Sequence, residues 1–133
     1  MKYLCLVYIE ESVIDALPKD EYERLRQESL AHIKELQTRG HPIVAQRLER
    51  VHTATSMRRR NGKLVVTDGP FAETKEQLGG FLLMEAADPN EAIRVAAGMP
   101  IARLGSIEVR PTWELAQKQP MAGRALPAQA VGG

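Results

Sequence analysis

The chain opens with an apolar run at residues 3–9, YLCLVYI, that predicts a first β-strand. Successive side chains of a strand point to opposite faces of a sheet. Both faces of this strand are apolar, with Tyr3, Cys5, Val7 and Ile9 on one and Leu4, Leu6 and Tyr8 on the other. A sheet built around such a strand therefore needs cover on both sides.

Helical spacing begins after a polar stretch. Pro18 stands where proline is favoured at a helix start, and Gly40 stops the pattern after about Arg39. The apolar residues recur with a helical period and form one stripe, made of Tyr22, Leu25, Ile33 and Leu36. At about 100° per residue, Ser29 falls near the centre of this stripe and His32 at its edge.

The middle of the chain predicts strands joined by a hairpin. Residues 43 to about 51 form a second extended segment. Asn61-Gly62 is a strong two-residue hairpin signal between strands at 53–60 and 63–67. Residues 81–87, FLLMEAA, are continuous enough for an interior strand.

A second, shorter helix and a last strand complete the pattern. Asp88 is placed as the N-cap, Pro89 at the first helical position, and Glu91 as the closing residue of a capping box. The helix ends by Gly98, and residues 107–110 predict the final strand. Residues 116–133 are small, polar and rich in Pro and Gly, so we expect a poorly ordered tail after a domain that covers residues 1–115.

This order of elements predicts an α+β, ferredoxin-like domain with an extra hairpin in its middle. Two helices cover only one face of its sheet. The second face can be covered by the same sheet of another copy, which gives a two-fold homodimer. The alternative is that the extra hairpin folds over that face.

Composition excludes several classes of partner. Eighteen basic residues balance seventeen acidic ones, and the net charge of +1 favours neither nucleic acid nor an anionic membrane surface. The run Arg58-Arg59-Arg60 at the hairpin tip is expected to be solvated. No apolar stretch approaches the length of a membrane span. A single cysteine, Cys5, sits in an apolar strand, and we expect a buried thiol in a reducing cytoplasm.

No cofactor or metal is predicted. The chain has neither a phosphate-binding loop nor a dinucleotide fingerprint. Its three histidines, His32, His41 and His52, never pair at metal-ligand spacing on one predicted element.

The segment TDGPFAETKEQLGG, residues 67–80, resembles the signature of the YCII-related, or DGPF-domain, family. The similarity extends to KYLCLVY in the first strand, to TATSMR, and to GSIEVRP at residues 105–111. This resemblance implies a dimeric α+β barrel of ferredoxin-like subunits. Some relatives occur beside or fused to sigma factors of the extracytoplasmic-function class. It also implies a catalytic Asp at Asp68 and a helix His whose position corresponds to Ser29, with His32 one turn away as its substitute. Ser29 itself is then expected to contact a ligand.

The signature loop supplies most of the remaining candidate residues. Asp68 is either a pocket carboxylate or a turn residue that accepts the backbone N–H of Phe71. Phe71 either lines a ligand pocket or anchors the loop in the core, and the core is favoured. Glu73 and Lys75 could reach a ligand or a partner subunit. Glu108 and Arg110, two apart on the last strand, point to one face, where they can pair or Arg110 can hold an anionic ligand.

Two classes of function are compatible with these residues. One is a small enzyme that uses acid–base chemistry on a small organic ligand in a pocket near the signature loop. The other is a non-catalytic ligand-binding or regulatory module associated with a sigma factor. A complete His–Asp pair would favour the first class, but the family's helix His corresponds to Ser29 in this chain. A helix-turn-helix, of which the sequence shows no sign, would favour the second class.

Overall fold

Four antiparallel strands in the order β2-β5-β1-β6 form the main sheet of the computed structural model, which describes residues 1–114. The predicted tail lies outside the described residues. The strands of this sheet are β1 (Lys2–Ile9), β2 (Pro42–Arg47), β5 (Gln77–Glu85) and β6 (Ser106–Pro111). A separate two-stranded sheet is made by β3 (Thr55–Arg60) and β4 (Lys63–Asp68).

Three α-helices accompany these strands: α1 (Glu11–Asp15), α2 (Lys19–Thr38) and α3 (Pro89–Ala97). Short 3₁₀ turns cover Val51–Thr53 and Pro100–Arg103. None of the helices in residues 1–114 is long and apolar enough to cross a membrane. The predicted α+β fold is confirmed, and the long helix starts and ends within one residue of its expected bounds.

The predicted capping box at the start of α3 forms, except that one of its two hydrogen bonds goes to the preceding residue. The Asp88 carboxylate accepts a hydrogen bond from the backbone N–H of Glu91 at 2.8 Å. The Glu91 carboxylate returns to the backbone N–H of Ala87, at 2.9 Å, rather than to that of Asp88. Both contacts satisfy N–H groups near the start of the helix.

Three local expectations were wrong. The second extended segment ends at Arg47 and gives way to the Val51–Thr53 turn. Strand β5 begins at Gln77, four residues before the predicted start, because Gly79 and Gly80 lie inside the strand. The five-residue helix α1 was missed, since Glu11–Asp15 is too short to show a helical period.

The core lies between the helices and one face of the sheet. Tyr3 and Cys5 of β1 and Leu82 and Met84 of β5 pack with residues of α2 and α3, namely Leu36, Ala92, Val95 and Ala96. Cys5 is completely buried, and this burial raises the pKa of its thiol to about 11. The predicted inert, buried thiol agrees with this environment.

The opposite face of the sheet, which we call the open face, is apolar at its centre. The strand register aligns Val44, Leu83, Leu4 and Arg110 in one row across the four strands, and Gln46, Phe81, Leu6 and Glu108 in the next. Leu4, Leu6 and Tyr8 are half-buried, whereas the alternate residues of β1 are buried by the helices. The two-faced pattern of the first strand is therefore real.

The β3–β4 hairpin, which we call the arm (residues 55–68), stands apart from this sheet. Asn61 and Gly62 take the positive φ values of 51° and 77° that a tight hairpin turn needs, as predicted. All of its residues except the half-buried Ser56 are exposed. The alternative in which the hairpin covers the open face of its own chain is therefore wrong.

Candidate functional site

A cleft of about 610 Å³ lies on the helix side of the sheet, between α2 and the connection that follows α3. Helix α2 contributes Glu28, His32 and Glu35 to its wall, and the connection contributes Met99, Pro100 and Arg103. Residues that carry two carboxylates, an imidazole and a guanidinium therefore line one concavity that also has apolar walls, and the Glu35 carboxylate accepts a hydrogen bond from Arg39 at 2.8 Å. Such a mixture of apolar surface and a few convergent polar groups is typical of small-molecule sites.

His32 is placed in this cleft by close packing on a glycine. A Cβ atom at Gly98 would lie only 2.9 Å from His32 Cε1, so the ring rests against bare backbone. The His32 Nε2 atom is covered and has no hydrogen-bond partner among the described residues. A buried polar atom without a partner costs about 1–3 kcal/mol, and native proteins tolerate few of them. Nε2 is therefore the one atom of the ring that is covered without a hydrogen-bond partner in residues 1–114.

Arg103 brings a positive charge to the same cleft. Its guanidinium donates to Glu28 Oε2 at 2.7 Å, which joins helix α2 to the Pro100–Arg103 turn. The Arg103 side chain remains 62% exposed, so it keeps donors free for a further acceptor. The pair contributes little to stability at this exposure, and it leaves the guanidinium available to an anionic ligand.

Ser29 does not share the site with His32. Its hydroxyl donates to the backbone carbonyl of Leu25 at 2.8 Å, one turn back along α2. This bond is a common way for serine to satisfy itself inside a helix. Ser29 is not part of the cleft wall, and between the two helix positions considered from the sequence, only His32 is.

The signature loop is organised mainly by its own hydrogen bonds. The Gln77 side-chain amide donates to the carbonyls of Ala72 and Thr74, and the Thr74 hydroxyl donates to the carbonyl of Glu76. The Glu76 carboxylate accepts the Ser106 hydroxyl at 2.8 Å, which ties the loop to the start of β6. Because Ser106 is aligned with Tyr8, the loop borders one end of the open face.

Two expectations about the start of this loop were wrong. Phe71 is 77% exposed and does not anchor the loop in the protomer's core. The expected bond from the Phe71 N–H to Asp68 is not formed. Gly69 holds the turn instead, with φ +93° and its N–H donating to the carbonyl of Ala54 at 2.7 Å.

Asp68 is the last residue of β4 and lies at the base of the arm. Its side chain is exposed and is not part of the wall of the His32 cleft. Within residues 1–114 its carboxylate has no hydrogen bond or ion pair. A single chain therefore does not bring the predicted catalytic pair, Asp68 and His32, into one cleft. Glu73 and Lys75 are exposed on the loop. The roles of these four residues and of Phe71 stay predictions.

Asp68→Asn should change the free energy of unfolding by no more than about 0.5 kcal/mol, because the protomer offers its carboxylate no partner. Asn also keeps the shape of the side chain and suits a turn. Urea unfolding of both proteins, at a concentration low enough for the chain to be monomeric, measures this difference. A loss above about 1 kcal/mol, the scale of one hydrogen bond, would contradict the placement of Asp68 as unpartnered.

Glu108 and Arg110 both lie on the open face, as their spacing predicted. Arg110 Nε is 3.7 Å from Glu108 Oε2, and the two side chains are 69% and 50% exposed. The register puts them beside Leu6 and Leu4 on the edge strand. They therefore add a charged margin to an apolar surface, on the opposite side of the sheet from His32.

Apart from His32, the residues of the cleft were not identified as site residues from the sequence. Glu28 and Arg103 are 75 positions apart, and no local pattern connects them. Gly98 stands out in the sequence because glycine commonly ends a helix, but this pattern predicts only the end of α3 and not the contact with His32. Among residues 1–114, no group of three or more His, Cys, Asp or Glu side chains is arranged to hold a metal ion.

Comparison with known proteins identifies a family that this chain matches and a solved structure with a similar fold. The model of the YCII-related domain family matches residues 1–116. An uncharacterised protein of Rhizobium meliloti (strain 1021) is 40% identical over 113 residues, which covers 84% of this chain and 91% of the relative.

A similar solved structure is 5-chloro-2-hydroxyhydroquinone dehydrochlorinase (TftG) from Burkholderia phenoliruptrix AC1100, in complex with 2,5-dihydroxybenzoquinone. Its TM-score with this chain is 0.51 at 16% identity, over 86% of this chain and 94% of that chain. A likeness at this identity shows a shared fold alone.

Proposed function

The chain belongs to the YCII-related domain family, and we propose that it is a small enzyme that transfers protons on a small, oxygen-rich organic anion. The reaction centre is the cleft between α2 and the Pro100–Arg103 turn. TftG, which has the same fold, is a dehydrochlorinase whose structure contains 2,5-dihydroxybenzoquinone. A planar, hydroxylated ring of this type is anionic at neutral pH. The cleft offers it apolar surface and the Arg103 guanidinium, and the two carboxylates of the wall are each paired with an arginine, Glu28 with Arg103 and Glu35 with Arg39.

The observation that carries the proposal is His32 Nε2, a covered ring nitrogen in the cleft wall that has no hydrogen-bond partner in residues 1–114. Imidazole is the side chain best suited to accept and return a proton near neutral pH. His32 Nε2 has no protein partner among the described residues, so a ligand hydroxyl that the ring turns toward would give it one. Catalytic hydrogen bonds often tighten only when the substrate is present. His32 is therefore the proposed general acid–base.

Arg103 is the proposed anchor for the anion. A guanidinium presents several donors in one plane and can hold a carboxylate or an enolate oxygen by two hydrogen bonds. Glu28 orients this guanidinium through the 2.7 Å contact, and Glu35 places a second carboxylate in the wall. Met99 and Pro100 supply the apolar surface for the ring of the ligand.

We also propose that the protein is a homodimer that joins two open faces. Support comes from the row of apolar side chains that crosses the sheet, which no segment of residues 1–114 buries as the helices bury the other face. A two-fold axis lets the same surface cover itself. We place the protein in the cytoplasm, where a reducing environment suits the single buried thiol.

The open face and the signature loop offer a second set of ligand contacts. Glu108, Arg110, Phe71, Glu73 and Lys75 are proposed as contacts at this margin. Asp68 is proposed as an additional acid–base group that needs a second subunit to reach any site.

Calorimetric titration of the full chain with 2,5-dihydroxybenzoquinone, which serves as the probe ligand, tests the proposal. We expect Arg103→Gln to weaken binding by about tenfold or more, since hydrogen bonds to a charged group contribute about 1.5–3 kcal/mol. The matched control is Arg94→Gln, an exposed arginine of α3 that does not line the cleft, and it should leave affinity within about twofold.

Equal affinity of the wild type and Arg103→Gln, or no binding by the wild type at millimolar probe, would contradict the proposed site. Exchange of the probe's ring hydrogens with D₂O then separates the two classes of function. Exchange that the protein accelerates and His32→Leu does not supports the enzyme, whereas binding without accelerated exchange supports the ligand-binding or regulatory alternative.

A further inference from the structure

Gly98 ends helix α3 in a backbone conformation that does not require glycine. Its φ and ψ are −79° and −7°, in the right-handed helical region that residues with a side chain adopt readily. By contrast, Gly40, Gly62 and Gly69 take positive φ values, where a side chain is strained. Alanine in the conformation of Gly98 would restrict the unfolded chain and thereby stabilise the fold. The backbone at position 98 therefore gives no reason for glycine.

The surroundings of Gly98 do give a reason. The three heavy atoms nearest to a Cβ at this position would all belong to the His32 ring, with Cε1 at 2.9 Å and both ring nitrogens at 3.6 Å. The ring therefore presents its Cε1 corner to the glycine. A contact of 2.9 Å is shorter than real Cβ atoms make, so alanine at position 98 and the present position of the ring are incompatible.

The backbone at Gly98 is held in place by the core. The Gly98 N–H donates to the carbonyl of Val95 at 3.3 Å, and the Met99 N–H donates to that of Ala96 at 3.0 Å. Val95 and Ala96 are both buried in the core cluster. A methyl group added at position 98 would therefore displace the His32 ring rather than the end of α3, because a side-chain torsion moves at lower cost than a packed helix.

We propose that Gly98 is the positioning residue of His32 in the proton transfer. This inference rests on the proposed function and deepens it, because it names what sets the position of the acid–base ring. Proton transfer needs heavy atoms about 2.6–3.2 Å apart, and a misplacement of about 1 Å can lower a rate about 100-fold. Binding needs only that the imidazole stay in the cleft with Arg103 and the apolar wall. It therefore tolerates a small displacement of the ring.

Gly98→Ala should separate proton transfer from binding. We expect the accelerated exchange of the ring hydrogens of 2,5-dihydroxybenzoquinone with D₂O to fall about 30-fold or more. The dissociation constant of the probe should change less than about threefold. In each exchange event one proton leaves a ring carbon and one deuteron from the solvent replaces it, so no further reactant is needed. Arg94→Gln is the control, because Arg94 is exposed in the last turn of α3 and outside the cleft wall, and it should leave both quantities unchanged.

The NMR signal of the His32 Cε1–Hε1 group reports the position of the ring directly, since Cε1 is the ring atom nearest to Gly98. In the ligand-free protein, Gly98→Ala should move this signal. The signals of His41 and His52 should stay in place, because neither residue belongs to the cleft wall. A change confined to His32 shows that the added methyl group acts on this ring and leaves the rest of the fold unchanged.

A double-mutant cycle tests whether Gly98 and His32 are coupled through this contact. In His32→Ala the ring is absent and a Cβ at position 98 has room. Adding Gly98→Ala to that variant should raise the midpoint of thermal unfolding by about 2–4 °C. In the wild-type background the same substitution should bring no such rise, because the ring has to move.

Each outcome decides a different statement. Equal exchange rates in the wild type and Gly98→Ala, an unmoved His32 signal, or equal changes of the unfolding midpoint in both backgrounds would overturn the positioning role and leave the proposed function in place. Parallel loss of probe affinity and exchange in Gly98→Ala would also overturn it, and would make Gly98 a residue that shapes the cleft. A wild-type protein that binds the probe without accelerating exchange would overturn the proposed enzyme and the positioning role together.

Discussion

Leu6→Asp should convert the protein into a folded monomer that still binds the probe. Leu6 lies in the centre of the open face, aligned with Phe81 on one side and Glu108 on the other. A carboxylate there would have to be buried without a partner when two open faces meet, and this costs several kcal/mol. The dimer dissociation constant should therefore rise by about two orders of magnitude or more.

The fold should survive this substitution, because the buried core lies on the opposite face of the same strand. Circular dichroism checks the fold and sedimentation checks the assembly. Ile93→Asp is the control, since Ile93 is an exposed apolar residue of α3, on the helix side of the sheet. A Leu6→Asp protein that remains as dimeric as Ile93→Asp would show that the open face is not the interface.

Probe binding should be unchanged in the Leu6→Asp monomer. The His32 cleft lies on the helix side, and the open face contributes none of its wall. Assembly and ligand binding are therefore separable in this account. Loss of both together would instead place the ligand at the subunit interface.

His32→Leu should make the protein more stable and abolish binding of the probe. The substitution removes Nε2, which has no partner in the described residues, and replaces it with an apolar group of similar size. Removal of a buried unsatisfied atom should raise the free energy of unfolding by about 1 kcal/mol. Stability gained at the expense of function is common at sites that hold unsatisfied groups.

Urea unfolding and calorimetric titration of the same samples measure the two effects. His52→Leu is the control, because His52 is exposed in the Val51–Thr53 turn and outside the cleft. It should change neither quantity appreciably. A His32→Leu protein that is less stable and still binds the probe would make His32 a packing residue.

Features encoded by neighbouring residues were predictable from the sequence. The alternation in Tyr3–Ile9 predicted which side chains lie on each face of the first strand. The Asn61-Gly62 pair predicted the position of the turn of the arm. The spacing of Asp88 and Glu91 located the start of α3. In each case the physical cause acts over a few residues, so the pattern is complete within a short window.

The candidate site could not be predicted in the same way. Its ion pair joins Glu28 of α2 to Arg103 in the turn after α3. Its histidine, His32, packs closely against the backbone of Gly98. These contacts form only when α2 packs beside the end of α3. The expected pairing of Asp68 with His32 rested on family resemblance, and in one protomer Asp68 is exposed at the base of the arm, outside the His32 cleft.

The signature loop combines local hydrogen bonds with two exposed side chains that take no part in them. Gly69, Thr74, Glu76 and Gln77 all make contacts that shape the loop or join it to its neighbours. Asp68 and Phe71 do not, and both are exposed. The segment is therefore partly architecture, and its two exposed residues are those on which a second subunit or a ligand would act.

The most direct test of the central claim is an NMR titration of the histidine rings. The chain contains three histidines, so three Cε1–Hε1 signals can be assigned from single substitutions. On addition of 2,5-dihydroxybenzoquinone, we expect the His32 signal to shift in a saturable manner while the signals of His41 and His52 stay in place. Saturable binding that leaves the His32 signal unmoved would contradict the assignment of this cleft as the site of the chemistry.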